Sequence, residues 1–222
     1  MIYGSTIGKK FYEDGSIRRY PGNTVVADIL PGNPAYDTMC HLRQLLQEFD
    51  LEDYFIPLPD DSYHMTVIQG VNDQVRKENY WPADLPLDAP LTQADDYITE
   101  AILGAGLPGP VQMRFDVVNV SKGCCTVRLL PADETQEKTL WDFRNRAADR
   151  MNHRQPNFYT YRFHISLAYV RVIPESAAAQ RLEEMCQKMN EYIARQPAFY
   201  TAAPYMAYYD DMLRFSPDRL PR

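Results

Sequence analysis

The sequence predicts an α+β fold made of two similar halves of about a hundred residues each. Three observations carry this reading. Apolar residues recur at helical spacing in four segments and at strand spacing in several others. These segments run strand, helix, strands, helix, then hairpin, helix, strand, helix, strands. One short pattern beginning with histidine also occurs twice, at His64 and at His164.

The elements follow in order. Residues 4–22 are rich in Gly, Asp and Arg and end in Tyr20-Pro21-Gly22-Asn23, a structured loop or short hairpin. Thr24 to Leu30 is β-branched and apolar, hence a strand, and Pro31-Gly32-Asn33-Pro34 stops it. Asn33 is placed to cap a helix with Pro34 in its first turn. Tyr36, Met39, Cys40, Leu42, Leu45, Leu46 and Phe49 give that helix its apolar stripe. Residues 53–58 and 62–69 read as short strands around Pro59-Asp60-Asp61, and a polar, Pro-rich stretch runs from Val71 to Pro90. Ala94 to Leu103 is a helix ended by Gly104 and Gly106. Val111 to Val120 and Cys124 to Leu130 form a hairpin around Ser121-Lys122-Gly123. Asp133 to Asn152 is helical, with Leu140, Phe143, Ala147 and Met151 on one stripe. Tyr159 to Val170 reads as a strand. Ser176 to Ala194 is a helix with Leu182, Met185, Cys186, Met189 and Ile193 inward, and Phe199 to Phe215 reads as strand again.

Composition narrows the function classes. A chain of 222 residues buries roughly 70% of its unfolded surface and needs no staples. The formal net charge is −7, and no block of Lys and Arg exists beyond the pairs Lys9-Lys10 and Arg18-Arg19 near the start. Binding to long nucleic acid, which depends on displacing many counterions, is therefore not expected. A small anion held by a few local donors fits. Cys40, Cys124, Cys125 and Cys186 show no Cys-x-x-Cys spacing, and the adjacent pair forms no ordinary disulfide, so reduced thiols are expected. No apolar run is long enough to cross a bilayer, and Met1 to Lys10 lacks the pattern of a signal peptide. The expectation is a cytoplasmic protein without membrane contact, acting as a monomer.

The two copies of the histidine pattern are His64-Met65-Thr66-Val67 and His164-Ile165-Ser166-Leu167. Each is a histidine, an apolar residue, a hydroxyl residue and an aliphatic one. Side chains alternate along a strand, so His and the hydroxyl residue share one face. Met65 and Val67 take the other face in the first copy, and Phe163, Ile165, Leu167 and Tyr169 in the second. The apolar faces call for cover by helices, and the polar faces would look into a cleft. Such a set suits phosphodiester cleavage, which needs a base for the nucleophile's proton and an acid for the leaving oxygen. An imidazole, titrating near ~6.5, serves either role at neutral pH. Thr66 and Ser166 would donate to the non-bridging oxygens, where charge builds in the transition state. No cofactor and no metal is required by this logic.

The paired His-x-Thr/Ser-x motifs on strands of two α+β halves resemble the two-histidine (2H) phosphoesterase superfamily, which includes RNA 2′-5′ ligase-like proteins and cyclic nucleotide phosphodiesterases. The full length is also similar to one uncharacterised microbial family within it, through Asp14-Gly15, Tyr20-Pro21-Gly22-Asn23-Thr24 and Tyr209-Asp210-Asp211-Met212. The resemblance implies one domain over residues 1–222 with two pseudo-symmetric lobes, one carrying each histidine. It implies duplicated β-α-β units with antiparallel sheets flanking a central cleft, and catalysis by His64, Thr66, His164 and Ser166. It implies contact with substrate at Asn23 and Thr24, which as residues alone read equally as turn formers. Arg162 shares strand parity with His164 and is either a phosphate contact or a surface arginine. Tyr63, Tyr159, Tyr161 and Tyr169 are stacking candidates for a base or packing residues. His41 and His153 lack a hydroxyl residue two positions on, and structural or solvated roles are expected for both.

The activity these readings support is hydrolysis of a small phosphodiester or nucleotide: a 2′,3′-cyclic phosphate, a 2′-5′ linked or other cyclic nucleotide, or an RNA end. Two rivals remain at the level of sequence. One is a non-catalytic nucleotide or RNA-end binding module that keeps both motifs as a phosphate clamp. The other is a metal-dependent hydrolase that uses the histidines as ligands.

Overall fold

The computed structural model describes residues 1–219. Strand β1 (Gly22–Asp28) leads to helix α1 (Pro34–Glu48), and Asn33 caps it, its side-chain oxygen accepting from the Ala35 N–H at 2.9 Å. Strands β2 (Phe55–Pro57) and β3 (His64–Asn72) follow, then helix α2 (Leu91–Ala105), which ends at Gly106 with φ +73°. Strands β4 (Gln112–Val120) and β5 (Cys124–Pro131) form the expected hairpin. Helix α3 (Glu134–Arg150) is capped by Asp133. Strand β6 (His164–Val170), helix α4 (Ala177–Ile193) and strands β7 (Phe199–Tyr200) and β8 (Tyr205–Tyr209) complete the order.

Two expectations are corrected. The strand anticipated from Tyr159 begins only at His164, because residues 158–160 wind into a 3-10 turn. The strand anticipated to Phe215 stops at Tyr209, and the chain beyond it folds back, with Tyr208 and Ser216 paired through their backbones.

All strands pair antiparallel, in the order β7-β4-β5-β6-β3-β1-β8, with β2 also on β6. The two halves of this sheet meet at one residue pair, Met65 opposite Ile165. Both residues stand second in their strands, so β3 and β6 run away from the junction in opposite directions. Helix α1 packs on α4 and β6, while α2 packs on α3, which in turn covers β3 and β5. Met65, Val67, Ile165 and Leu167 are fully buried on the covered side. Each first-half helix thus packs against a helix of the second half, so the apolar core is shared across the junction. Among the described residues no helix is long and apolar enough to cross a membrane.

Candidate active site

The antiparallel register that sets Met65 against Ile165 brings His64 toward Ser166 and Thr66 toward His164 on the uncovered face. All four side chains line one cavity of about 260 Å³. The pairing therefore builds the constellation from adjacent positions on two strands, with no loop required to place it.

At the last residue of each motif the register slips by one residue, between β1 and β3 at Val67 and between β5 and β6 at Leu167. A β-bulge adds one residue on one strand and reverses the alternation beyond it. Gln69 and Tyr169 consequently join the cavity wall, although simple parity places Tyr169 on the apolar face. Both imidazoles are held the same way. His64 Nδ1 lies 2.7 Å from the Ser62 carbonyl, and His164 Nδ1 lies 2.7 Å from the Arg162 carbonyl. A carbonyl only accepts, so each Nδ1 carries hydrogen, and in the neutral ring each Nε2 is a lone-pair acceptor.

The surroundings of the two rings differ. Phe215 packs on His64, with ring centroids 4.2 Å apart. Loss of water around this ring pushes its pKa down to about 4, against the pull of the Ser62 carbonyl and with help from His164. His164 is also shifted down, first by desolvation and then by the charge of Lys10, while the Arg162 carbonyl opposes the shift. The backbone under the first motif is held by helix α3. Arg144, 2% exposed, donates to the carbonyls of Val67 and Phe158, and Trp141, Phe158, Tyr161 and Phe163 surround its guanidinium.

Asn23 and Thr24 line the cavity, but their polar atoms are engaged within the protein. The Asn23 amide donates to Asp95 at 2.8 Å and accepts from the Val71 N–H at 3.0 Å, and the Thr24 hydroxyl donates to the Ile68 carbonyl at 3.0 Å. Gly70 is required here, since a Cβ would stand 1.9 Å from the Asn23 amide oxygen.

Two other site expectations are corrected. Arg162 is exposed and precedes β6, so strand parity does not govern it; its carbonyl, not its guanidinium, reaches the site. Tyr63 is buried on the side opposite His64, its ring 6.2 Å from that of Tyr36 and its hydroxyl 3.3 Å from Asp60. Tyr161 lines the cavity and Tyr159 is exposed outside it. Neither His41 nor His153 lines it.

Sequence reading missed Lys10, Gln69, Gln155 and Phe215 in the wall. Lys10 and Phe215 lie on irregular chain without periodicity, and Gln69 lies beyond a bulge. The doubled motif was itself a signal for Gln69, which stands in the repeat where Tyr169 does. Among the described residues no group of three or more His, Cys, Asp or Glu is arranged to hold a metal ion.

Comparisons with known proteins bear on the family and the fold. The family model 2H-phosphodiest, described as a domain of unknown function (DUF1868), matches residues 10–152. No curated protein matches the chain. The crystal structure of a conserved protein of unknown function from Agrobacterium tumefaciens superposes with a TM-score of 0.86 at 27% identity, covering 97% of this chain and 91% of that one. LigT from E. coli in its apo form shares the fold, with a TM-score of 0.51 at 12% identity over 91% of this chain and 96% of its own.

Proposed function

Because the chain belongs to the 2H-phosphodiest family, we propose that it is a metal-independent phosphodiesterase acting on a small nucleotide-derived phosphodiester through His64 and His164. The substrates that fit are a 2′,3′-cyclic phosphate, a 2′-5′ linkage, another cyclic nucleotide or an RNA end. The observation that carries the reading is the matched pair of imidazoles, each tied through Nδ1 to a carbonyl, on adjacent strands of one cavity. With Nδ1 occupied, proton transfer falls to Nε2 of both rings. One neutral Nε2 takes the proton of the attacking hydroxyl or water. The other, protonated, delivers its proton to the leaving oxygen as the P–O bond breaks. Thr66 and Ser166, each across from the other strand's histidine, donate to the non-bridging oxygens as charge grows there. Four cysteines, all free thiols, suit a reducing cytoplasm.

A panel of cyclic and 2′-5′ linked phosphodiesters, assayed with excess chelator, tests the proposal. Turnover of at least one member, insensitive to chelation and lost in His64→Gln and His164→Gln, is expected. Activity that returns only with one divalent ion would support a metal-dependent hydrolase instead, and binding without turnover would support the non-catalytic module.

A further inference from the structure

The cavity wall holds one lysine and no arginine among the described residues. Lys10 reaches it from the irregular N-terminal segment, and no Asp or Glu among the described residues lines the same wall. In a chain with 30 acidic and 23 basic residues, that bias is local and opposes the overall charge. The segment is fixed on both sides of Lys10. Its N–H donates to the Thr6 carbonyl at 2.9 Å, and its carbonyl accepts from the Arg18 N–H at 2.9 Å. The next residue, Phe11, is fully buried with its ring 4.9 Å from that of Tyr169. The ammonium is thereby held 5.2 Å from the ring of Tyr20 and 5.1 Å from that of Tyr169. Aromatic faces stabilise a cation without neutralising it.

Other cations of the chain show the contrast. Arg43, Arg76 and Arg128 are paired with Asp60, Asp73 and Asp116, and each is satisfied before any ligand arrives. Around Lys10 burial works against the charge, Cys124 acts in its favour, and among the described residues no carboxylate is paired with it. Tyr169, whose ring the ammonium faces, stands on β6 with His164, which places the ammonium on that side of the cavity.

We propose that Lys10 is an anion-binding residue of this site, its ammonium contacting the non-bridging oxygens of a phosphate group on the His164 side. The ligand class is a phosphate ester or a like tetrahedral oxyanion. The consequence for turnover rests on the function proposed above, whereas the binding of an oxyanion does not. The ammonium supplies the full positive charge that the two hydroxyls, as neutral donors, lack, and a charge-assisted bond is about twice as strong as a neutral one. The ammonium already rests between the two tyrosine rings, so little side-chain entropy is lost when the anion arrives.

Titration calorimetry with inorganic phosphate tests the assignment on the wild type, Lys10→Met, Lys10→Arg and His64→Gln. The wild type should bind one phosphate per chain. Lys10→Met should weaken binding by about tenfold or more, and Lys10→Arg should stay within about threefold, since charge rather than shape is removed in the first. His64→Gln should keep phosphate binding while losing turnover. On a cleaved diester, Lys10→Met should raise KM more than it lowers kcat. A measurement without substitution covers the case in which Lys10→Met does not fold: phosphate should protect Lys10 of the wild type against reductive methylation, read by mass spectrometry. Equal phosphate affinity in wild type and Lys10→Met, or methylation of Lys10 indifferent to phosphate, overturns the assignment and leaves the two-histidine reading intact. Phosphate held through Lys10 with no diester cleaved supports it while overturning the proposed activity.

Discussion

The His64 half and the His164 half follow one backbone plan and dress it differently. The Tyr63 carbonyl accepts from the Ile29 N–H at 2.8 Å, and the Phe163 carbonyl accepts from the Leu129 N–H at 2.8 Å. Each strand then presents a histidine tied back by Nδ1, a hydroxyl residue and a bulge. Beyond that point the halves diverge. The carbonyl of Val67 is met by the buried guanidinium of Arg144, whereas that of Leu167 accepts a backbone N–H from Leu58 at 3.0 Å. Phe215 lies against one imidazole, and a lysine charge acts on the other. The shared part is main chain and sets where the two Nε2 atoms stand. The divergent part is side chain and sets how readily each ring holds a proton. Equivalent geometry with unequal electrostatics is what an acid and a base on opposite sides of one phosphorus require.

The largest effects should come from the shared part. His64→Gln and His164→Gln should each lower turnover by at least ~100-fold, because each removes a proton-transfer partner. The double variant should be little worse than either single one, since the two groups act as a unit. Steady-state rates on a cleaved diester check this, and a loss confined to one histidine would break the equivalence of the halves. Next comes a difference between them. Arg144→Met leaves the Val67 and Phe158 carbonyls without their donor and should cost about 1–3 kcal/mol in stability, measured by denaturant unfolding. Unchanged stability would mean that the bulge at Val67 does not depend on α3. Smaller still are the hydroxyls. Thr66→Val and Ser166→Ala should each lower kcat/KM by about tenfold, the value of one hydrogen bond to a charged oxygen, with similar losses in both halves. A large gap between them would show that the phosphate leans on one lobe.

The sequence made the shared part legible and hid much of the rest. His64 and Thr66, like His164 and Ser166, follow the period of two within their strand, and the doubled pattern shows in residue order alone. Parity fails beyond a bulge, so alternation alone puts Tyr169 on the apolar face and gives no sign of Gln69 in the wall. It failed at Arg162 because a 3-10 turn delays the start of β6. Tyr63 lies on the opposite face from His64, as alternation alone requires, and is a packing residue rather than a stacking one. Lys10 and Phe215 reach the cavity from irregular chain, where no periodicity reports direction. Asn33 was readable as a cap because capping is local, whereas Arg144 was not readable as a support, since its carbonyl partners lie 77 and 14 residues away.

The dependence of kcat/KM on pH tests most directly whether the two imidazoles divide the acid and base roles. In the proposed mechanism the productive free enzyme has one ring neutral and the other protonated. Both rings are shifted below the ordinary imidazole range, His64 to about 4 and His164 in the same direction. As pH falls the base becomes protonated, and as pH rises the acid loses its proton, so activity falls on both sides. With both shifts downward, the account predicts a bell whose maximum lies below pH ~6.5, the value for a free imidazole. The limbs belong to the coupled pair rather than to either residue. In the residual activity of each Gln variant one limb should disappear. Wild-type activity that instead rises steadily to pH 10 would contradict the account, because no imidazole could then be serving as the acid.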